Sequence, residues 1–184
     1  MAIEKYTTHG LIVASYEQGE HDRVYKIFTK EFGMLLCKAT SIRKNESKLR
    51  AHMKVRKYTQ VTLVKGKEVW RLVGGEEVHL SSPYLPLITL LLTRFIRGEG
   101  VHLFLYERLL KFIVSSDSFD KQNASLLLYY LILLDLGYAD SSVLSLRSKE
   151  DVDALSIEQV YTYILLYKDK AKQHIASILQ ESHL

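Results

Sequence analysis

Residues 33–79, GMLLCKATSIRKNESKLRAHMKVRKYTQVTLVKGKEVWRLVGGEEVH, decide the fold. Gly33 to Ala39 is a short apolar run opened by a turn glycine, and Ser47 to His52 has the length of one helical turn. Lys54 to Lys65 and Lys67 to His79 are β-prone stretches on either side of Gly66, so Val64-Lys65-Gly66-Lys67-Glu68-Val69 predicts a hairpin with a tight glycine turn. Toward the N-terminus, Arg23 to Thr29 alternates and Thr7 to Tyr16 is β-branched and apolar, which adds two strands in front. Five strands with a short helix between the third and fourth is the order of an OB-fold, a small barrel that often binds oligonucleotides.

Toward the C-terminus the pattern changes at Pro83 and Pro86, and no proline follows. Ile88, Leu91, Leu92, Phe95 and Ile96 recur at helical spacing and stop at Gly98, and Leu103, Tyr106, Leu109, Leu110 and Ile113 form a second stripe before Ser115-Ser116-Asp117. A third helix, about Lys121 to Leu136, is apolar nearly all round and ends at the C-capping Gly137, which makes it the central one. Ser141 to Leu155 is polar and poorly periodic. Ser156-Ile157-Glu158-Gln159 then has the spacing of a capping box that opens a final helix to about Leu179. The expected class is α+β: an N-terminal OB-fold β-barrel over residues 1–80 followed by an all-α domain over 81–184.

The chain has 184 residues, 47% hydrophobic and 25% charged, enough to bury a core. Its one cysteine, Cys37, excludes an intrachain disulfide and a multi-cysteine zinc module. Met1-Ala2-Ile3-Glu4-Lys5-Tyr6 lacks the order of a signal peptide, and Leu126 to Leu134 falls short of the ~18 apolar residues of a spanning helix. The expectation is a soluble, cytoplasmic protein with no membrane contact. Enzyme chemistry finds little support. His9, His21, His52, His79, His102, His174 and His183 never fall three to five apart, no glycine loop cradles phosphate, and Cys37 sits in an apolar run as a small hydrophobe. No catalytic residue, metal or cofactor is expected.

Charge is unevenly spread. Residues 1–80 hold 15 basic and 9 acidic side chains, net +6, whereas residues 81–184 are net −2. Within residues 38–57, Lys38, Arg43, Lys44, Lys48, Arg50, Lys54, Arg56 and Lys57 face only Glu46. Charge runs are most often solvated loops. Here the run continues into a strand whose alternation sends Lys54, Arg56, Tyr58, Gln60 and Thr62 to one face and Val55, Val61 and Leu63 to the core. A cationic strand face with an aromatic in it suits sequence-tolerant binding of single strands, because phosphates attract point charges and any base can stack. The candidate phosphate contacts are Lys38, Arg43, Lys44, Lys48, Arg50, Lys54 and Arg56, with Tyr58 either a stacking platform or a cap on the barrel core.

These residues resemble the bacterial recombination mediator RecO family. The family's barrel begins with a Gly and three aliphatics, then Tyr, Glu-x-Asp, an aliphatic-Phe-Thr and a Gly. Here those look like Gly10-Leu11-Ile12-Val13, Tyr16, Glu20-His21-Asp22, Ile27-Phe28-Thr29 and Gly33. A Lys, a basic pair and a Ser-x-Leu follow as Lys38, Arg43-Lys44 and Ser47-Lys48-Leu49, and the helix closing Leu136-Gly137-Tyr138 is similar to the family's helical-domain motif. Three features depart from the family. Many members place four zinc-binding cysteines after that Gly-Tyr, where this chain has Ala139-Asp140-Ser141-Ser142-Val143. The chain is shorter than typical members, and Ala39 stands where a Gly often follows the third-strand Lys.

The resemblance implies a non-enzymatic DNA-binding protein of recombinational repair, in a form lacking the zinc module. It would bind single- and double-stranded DNA, possess annealing activity and, with RecR, help RecA replace single-strand-binding protein. The resemblance also implies a pocket for the acidic, Phe-ending tail of single-strand-binding protein. Leu91, Leu92 and Phe95 beside Arg94 and Arg97 offer the ingredients, with Arg108 and Lys111 as the fallback; the same apolar residues also read as helix-bundle core. The alternative from another class is a protein-interaction adaptor whose barrel has lost DNA affinity.

Overall fold

In the computed structural model, which describes residues 4–67 and 69–181, five strands close into a barrel in the order β1-β2-β3-β5-β4. The strands are β1 (Lys5–Gln18), β2 (Asp22–Thr29), β3 (Gly33–Ala39), β4 (Tyr58–Lys65) and β5 (Trp70–Val78), and helix α1 (Leu49–His52) lies between β3 and β4. Met1 to Ile3, Glu68 of the expected hairpin turn and His183 lie outside the described residues. The 14-residue β1 serves two neighbours, pairing β4 through Lys5–Leu11 and β2 through Gly10–Gln18, with a bulge between Ile12 and Ala14 that bends it. All pairs are antiparallel except β3 with β5, which meet at Cys37↔Trp70 and Lys38↔Arg71 and close the ring. This is the OB order expected from residues 33–79.

Alternate residues of each strand fill the interior: Ile12, Tyr25, Ile27, Leu35, Cys37, Val61, Leu63 and Leu72, joined by Ile42 and Met53 from the β3–β4 connection. Trp70 closes one end, stacked edge-on against Tyr6 with centroids 5.5 Å apart, and tilted at 5.2 Å from Phe32. Gly33 is required twice over. Its φ is +66°, and a Cβ there would fall 2.0 Å from the Gly100 carbonyl oxygen.

One part of the strand reading is corrected. Residues 54–57 are a turn and not the start of β4. Lys57 N–H donates to Lys54 O, Arg56 has φ +69°, and two bonds tie the turn to the β1 bulge: Arg56 N–H to Ile12 O at 2.8 Å and Ile12 N–H to Lys57 O at 3.0 Å. The alternation therefore breaks. Lys54 and Arg56 are exposed without sharing the Tyr58 strand face, and Val55, expected in the core, is 39% exposed. Thr59, Val61 and Leu63 supply the inward set of β4 instead.

Backbone contacts divide the chain into two compact units, Met1–Leu103 and Phe104–Leu184. Helix α2 (Leu85–Phe95), started by Pro86 in its first turn, stays with the first unit and packs against β1, whose Leu11 and Val13 are buried. Lys26 of β2 donates to the Thr93 and Ile96 carbonyls at the C-terminal end of α2, at 3.3 and 3.4 Å, where cations complement the helix dipole.

The second unit contains α3 (Leu103–Ser115), α4 (Lys121–Asp135), α5 (Lys149–Asp153), α6 (Ile157–Leu166) and α7 (Lys168–Glu181). Helix α4 is its centre, buried at nine of its residues and in contact with α6 and α7. Asp120 caps its start through Asn123 N–H, and Gly137, at φ +78°, lets Tyr138 N–H return to Leu133 O at 2.8 Å. The Ser156–Gln159 capping box forms as expected. The helix it opens breaks at Tyr167 into α6 and α7, and the aperiodic stretch contains α5, capped by a second box of Ser148 and Asp151. Among the described residues no helix is long and apolar enough to cross a membrane.

Candidate nucleic-acid interface

The connection from β3 to β4 carries most of the cations singled out in the sequence. Successive turns shape it: Lys44 N–H donates to Ser41 O, Ser47 N–H to Lys44 O and Arg50 N–H to Ser47 O. These turns leave the Lys44, Lys48, Arg50, Lys54 and Arg56 side chains exposed. None of the five has an acidic partner within ion-pair distance among the described residues.

The other cations of the run are held. Lys38, outward on β3, pairs with Asp22 at 3.0 Å, and Asp22 also accepts the Ser41 N–H at 2.8 Å. These two bonds, the Ser41 amide first, keep the Asp22 carboxyl below the usual range. Lys57 pairs with Glu77 at 2.7 Å and lowers its pKa in the same way. Arg43 reaches Glu17 at 3.3 Å and the Gly19 carbonyl at 3.2 Å.

Arg43, Arg50 and Lys54 meet around one cavity of about 520 Å³, and Lys38, Lys44, Lys48, Arg56 and Tyr58 do not line it. Sequence reasoning missed Arg23, which lines it too. Arg23 has the parity of Tyr25 and Ile27, the inward residues of β2, and stands opposite Glu17 of β1, to which it donates at 3.1 Å. The signal was available: an arginine at the head of an alternating strand, in register with its core positions, lies at a barrel end. Tyr58 is half-buried on the outer face of β4, with its ring stacked on His9 at 5.8 Å and 15°. It does not cap the interior.

Around Arg94 and Arg97 the apolar residues are spent. Leu91, Leu92 and Phe95 are 2%, 0% and 6% exposed, which makes them core. Arg94 is half-buried over the Phe95 ring, and Arg97 is exposed at the edge of a groove on the barrel with Lys26 and Leu36. Arg108 is buried, donating to Val152 O and facing Asp153 at 3.6 Å, while Lys111 is exposed beside a cavity of about 530 Å³ within the helical unit. Burial pushes the Cys37 thiol up to about 12, so it holds no thiolate at neutral pH. Among the described residues no three His, Cys, Asp or Glu side chains gather as a metal site.

A closed five-stranded barrel in OB order, with unpaired cations on the connection between its third and fourth strands, defines an OB-fold protein with a cationic rim. Residues 1–80 match the family model described as recombination protein O, N terminal. Over 74 residues the chain is 32% identical to the DNA repair protein RecO of Dehalococcoides mccartyi strain CBDB1, covering 40% of this chain and 29% of that protein. It is 31% identical over 74 residues to the DNA repair protein RecO of Gloeothece citriformis, covering 40% and 26%, and 34% identical over 64 residues to that of Desulfitobacterium hafniense strain DCB-2, covering 35% and 23%. Over its N-terminal barrel, residues 1–80, the chain is similar to the RecO family. The match spans under a third of the length of these curated relatives.

Proposed function

We propose that the protein is a cytoplasmic, non-enzymatic DNA-binding factor of recombinational repair. It binds single-stranded DNA along the β3–β4 connection, accepts duplex as well, and anneals complementary strands. With RecR it assists loading of RecA onto strands held by single-strand-binding protein. One observation carries the DNA-binding part: five exposed cations of one connection, Lys44, Lys48, Arg50, Lys54 and Arg56, have no acidic partner among the described residues of a barrel that matches the RecO N-terminal domain. Cations that a fold does not use for its own ion pairs are available to phosphates. RecR, RecA and the tail of single-strand-binding protein enter through the resemblance alone.

The test is a shift of a labelled oligonucleotide by wild-type protein and by a Lys44→Glu, Arg50→Glu variant. Salt-sensitive binding by wild type, lost in the variant, supports the proposal. A folded wild-type protein that leaves the oligonucleotide free favours the adaptor reading.

A further inference from the structure

Beside α1, side chains from four separate stretches converge on one cavity of the first unit: Arg23 from β2, Arg43 from the loop after β3, Arg50 from α1 and Lys54 from the turn before β4. Glu17 is the single acidic residue on its wall, which leaves three net positive charges. Tyr25, 1% exposed, forms the floor, and its hydroxyl takes a hydrogen bond from Arg23. The cluster is incompletely satisfied from within. Glu17 serves both Arg23 and Arg43, at 3.1 and 3.3 Å. Arg50 and Lys54 have no acidic partner in range among the described residues, and Arg23 Nε is buried with no hydrogen-bond partner. A buried donor of this kind costs free energy unless an acceptor arrives.

We propose that this cavity binds a phosphomonoester, presented by the end of a DNA strand or by a free nucleotide. Three guanidinium groups approaching from different elements suit an acceptor whose oxygens point several ways, since each planar fork satisfies an oxygen pair. A terminal phosphate offers three free oxygens and close to two negative charges at neutral pH, which neutralise most of the net charge of the wall. An internal phosphodiester offers two free oxygens and one charge, and its chain must leave the cavity on both sides. Met53 and Val55 on the same wall give the attached sugar an apolar surface. The strand-end form of the proposal rests on the DNA-binding reading, whereas the nucleotide form does not.

The experiment compares oligonucleotides of one sequence carrying a 5′-phosphate, a 3′-phosphate or hydroxyl ends, titrated against the full chain, and adds a thermal shift with dAMP. The expected result is about tenfold tighter binding of one phosphorylated form, the worth of one charge-assisted hydrogen bond, abolished by Arg50→Ala with Lys54→Ala. Both positions are exposed, so this variant keeps the fold. Glu17→Gln, which frees Arg23 and Arg43, enlarges the preference severalfold. Stabilisation by dAMP that the double variant loses, without an end preference, supports the site and assigns it to free nucleotides. Equal affinity for all three strands together with no dAMP shift overturns the proposal. Salt-dependent binding of the hydroxyl-ended strand then shows separately whether the DNA-binding reading stands.

Discussion

Three cations of the helical unit and five on one connection of the barrel unit are used in opposite ways. In the helical unit, Arg108 donates to Val152 O, Lys149 to the Asp135 carbonyl at 3.3 Å and its carboxylate at 3.2 Å, and Lys170 to Ser142 O at 2.8 Å. Each fastens one segment to another, and Arg108 does so by satisfying a carbonyl that folding removes from water. On the β3–β4 connection of the barrel unit, the side chains of Lys44, Lys48, Arg50, Lys54 and Arg56 make no hydrogen bond or ion pair among the described residues. A count of charge is thus a poor guide to binding, and a count of charge left over by the fold is a better one. The net +6 of residues 1–80 contains both kinds: Lys26, Lys38 and Lys57 have partners in the fold, although Lys38 and Lys57 are far more exposed than Arg108.

The sharpest way to break this contrast is Arg108→Ala. Removing a guanidinium that is 5% exposed leaves the Val152 carbonyl without its donor and the Asp153 carboxylate without its counter-charge. The cost is about 3 kcal/mol or more of stability, measured by denaturant unfolding. A loss under about 0.5 kcal/mol would show that Arg108 is no more committed than a surface charge.

Next in size, Arg50→Ala with Lys54→Ala lowers affinity for all single strands about tenfold while stability stays within about 0.5 kcal/mol of wild type. Lys38→Ala, which removes a residue already paired with Asp22, lowers affinity less, and a binding titration ranks the two. The reverse ranking would mean that the ion pair on the outer face of β3 does not compete with phosphate.

The smallest effect is on pH dependence. Asp22 is held below the usual carboxylate range by the Ser41 amide and Lys38, so its folded pKa lies beneath its unfolded one. Its contribution to stability is complete above the unfolded value and disappears as pH falls through the folded value. Asp22→Asn flattens the acid limb of the thermal midpoint below the usual aspartate range, and an unchanged limb contradicts the assignment.

Much of this organisation was legible in residue order. The third strand, Gly33–Ala39, and the Ser156 capping box fall where the sequence puts them, because a turn glycine and a cap are local signals. Residues 54–57 were illegible for the opposite reason. Their alternation of cation and apolar residue is a good strand pattern, but two backbone bonds to Ile12, 44 residues away, hold them in a turn. The break at Tyr167 has no proline or glycine to announce it. Of the site, the basic run was visible and its partition was not. That Lys38 belongs to Asp22 follows from the register of β2 and β3, and that Arg23 joins Arg43 and Arg50 at one cavity follows from the path the chain takes after β3.

The claim that uncommitted cations on the β3–β4 connection make the DNA contact is tested most directly by the salt dependence of single-strand affinity. It should be measured for wild type and for the Lys44→Ala, Lys48→Ala, Arg50→Ala, Lys54→Ala variant. With about four phosphates neutralised, log affinity against log salt has a slope near −3 in wild type and flattens to about −1 or less in the variant. Equal slopes in the two proteins would contradict the account.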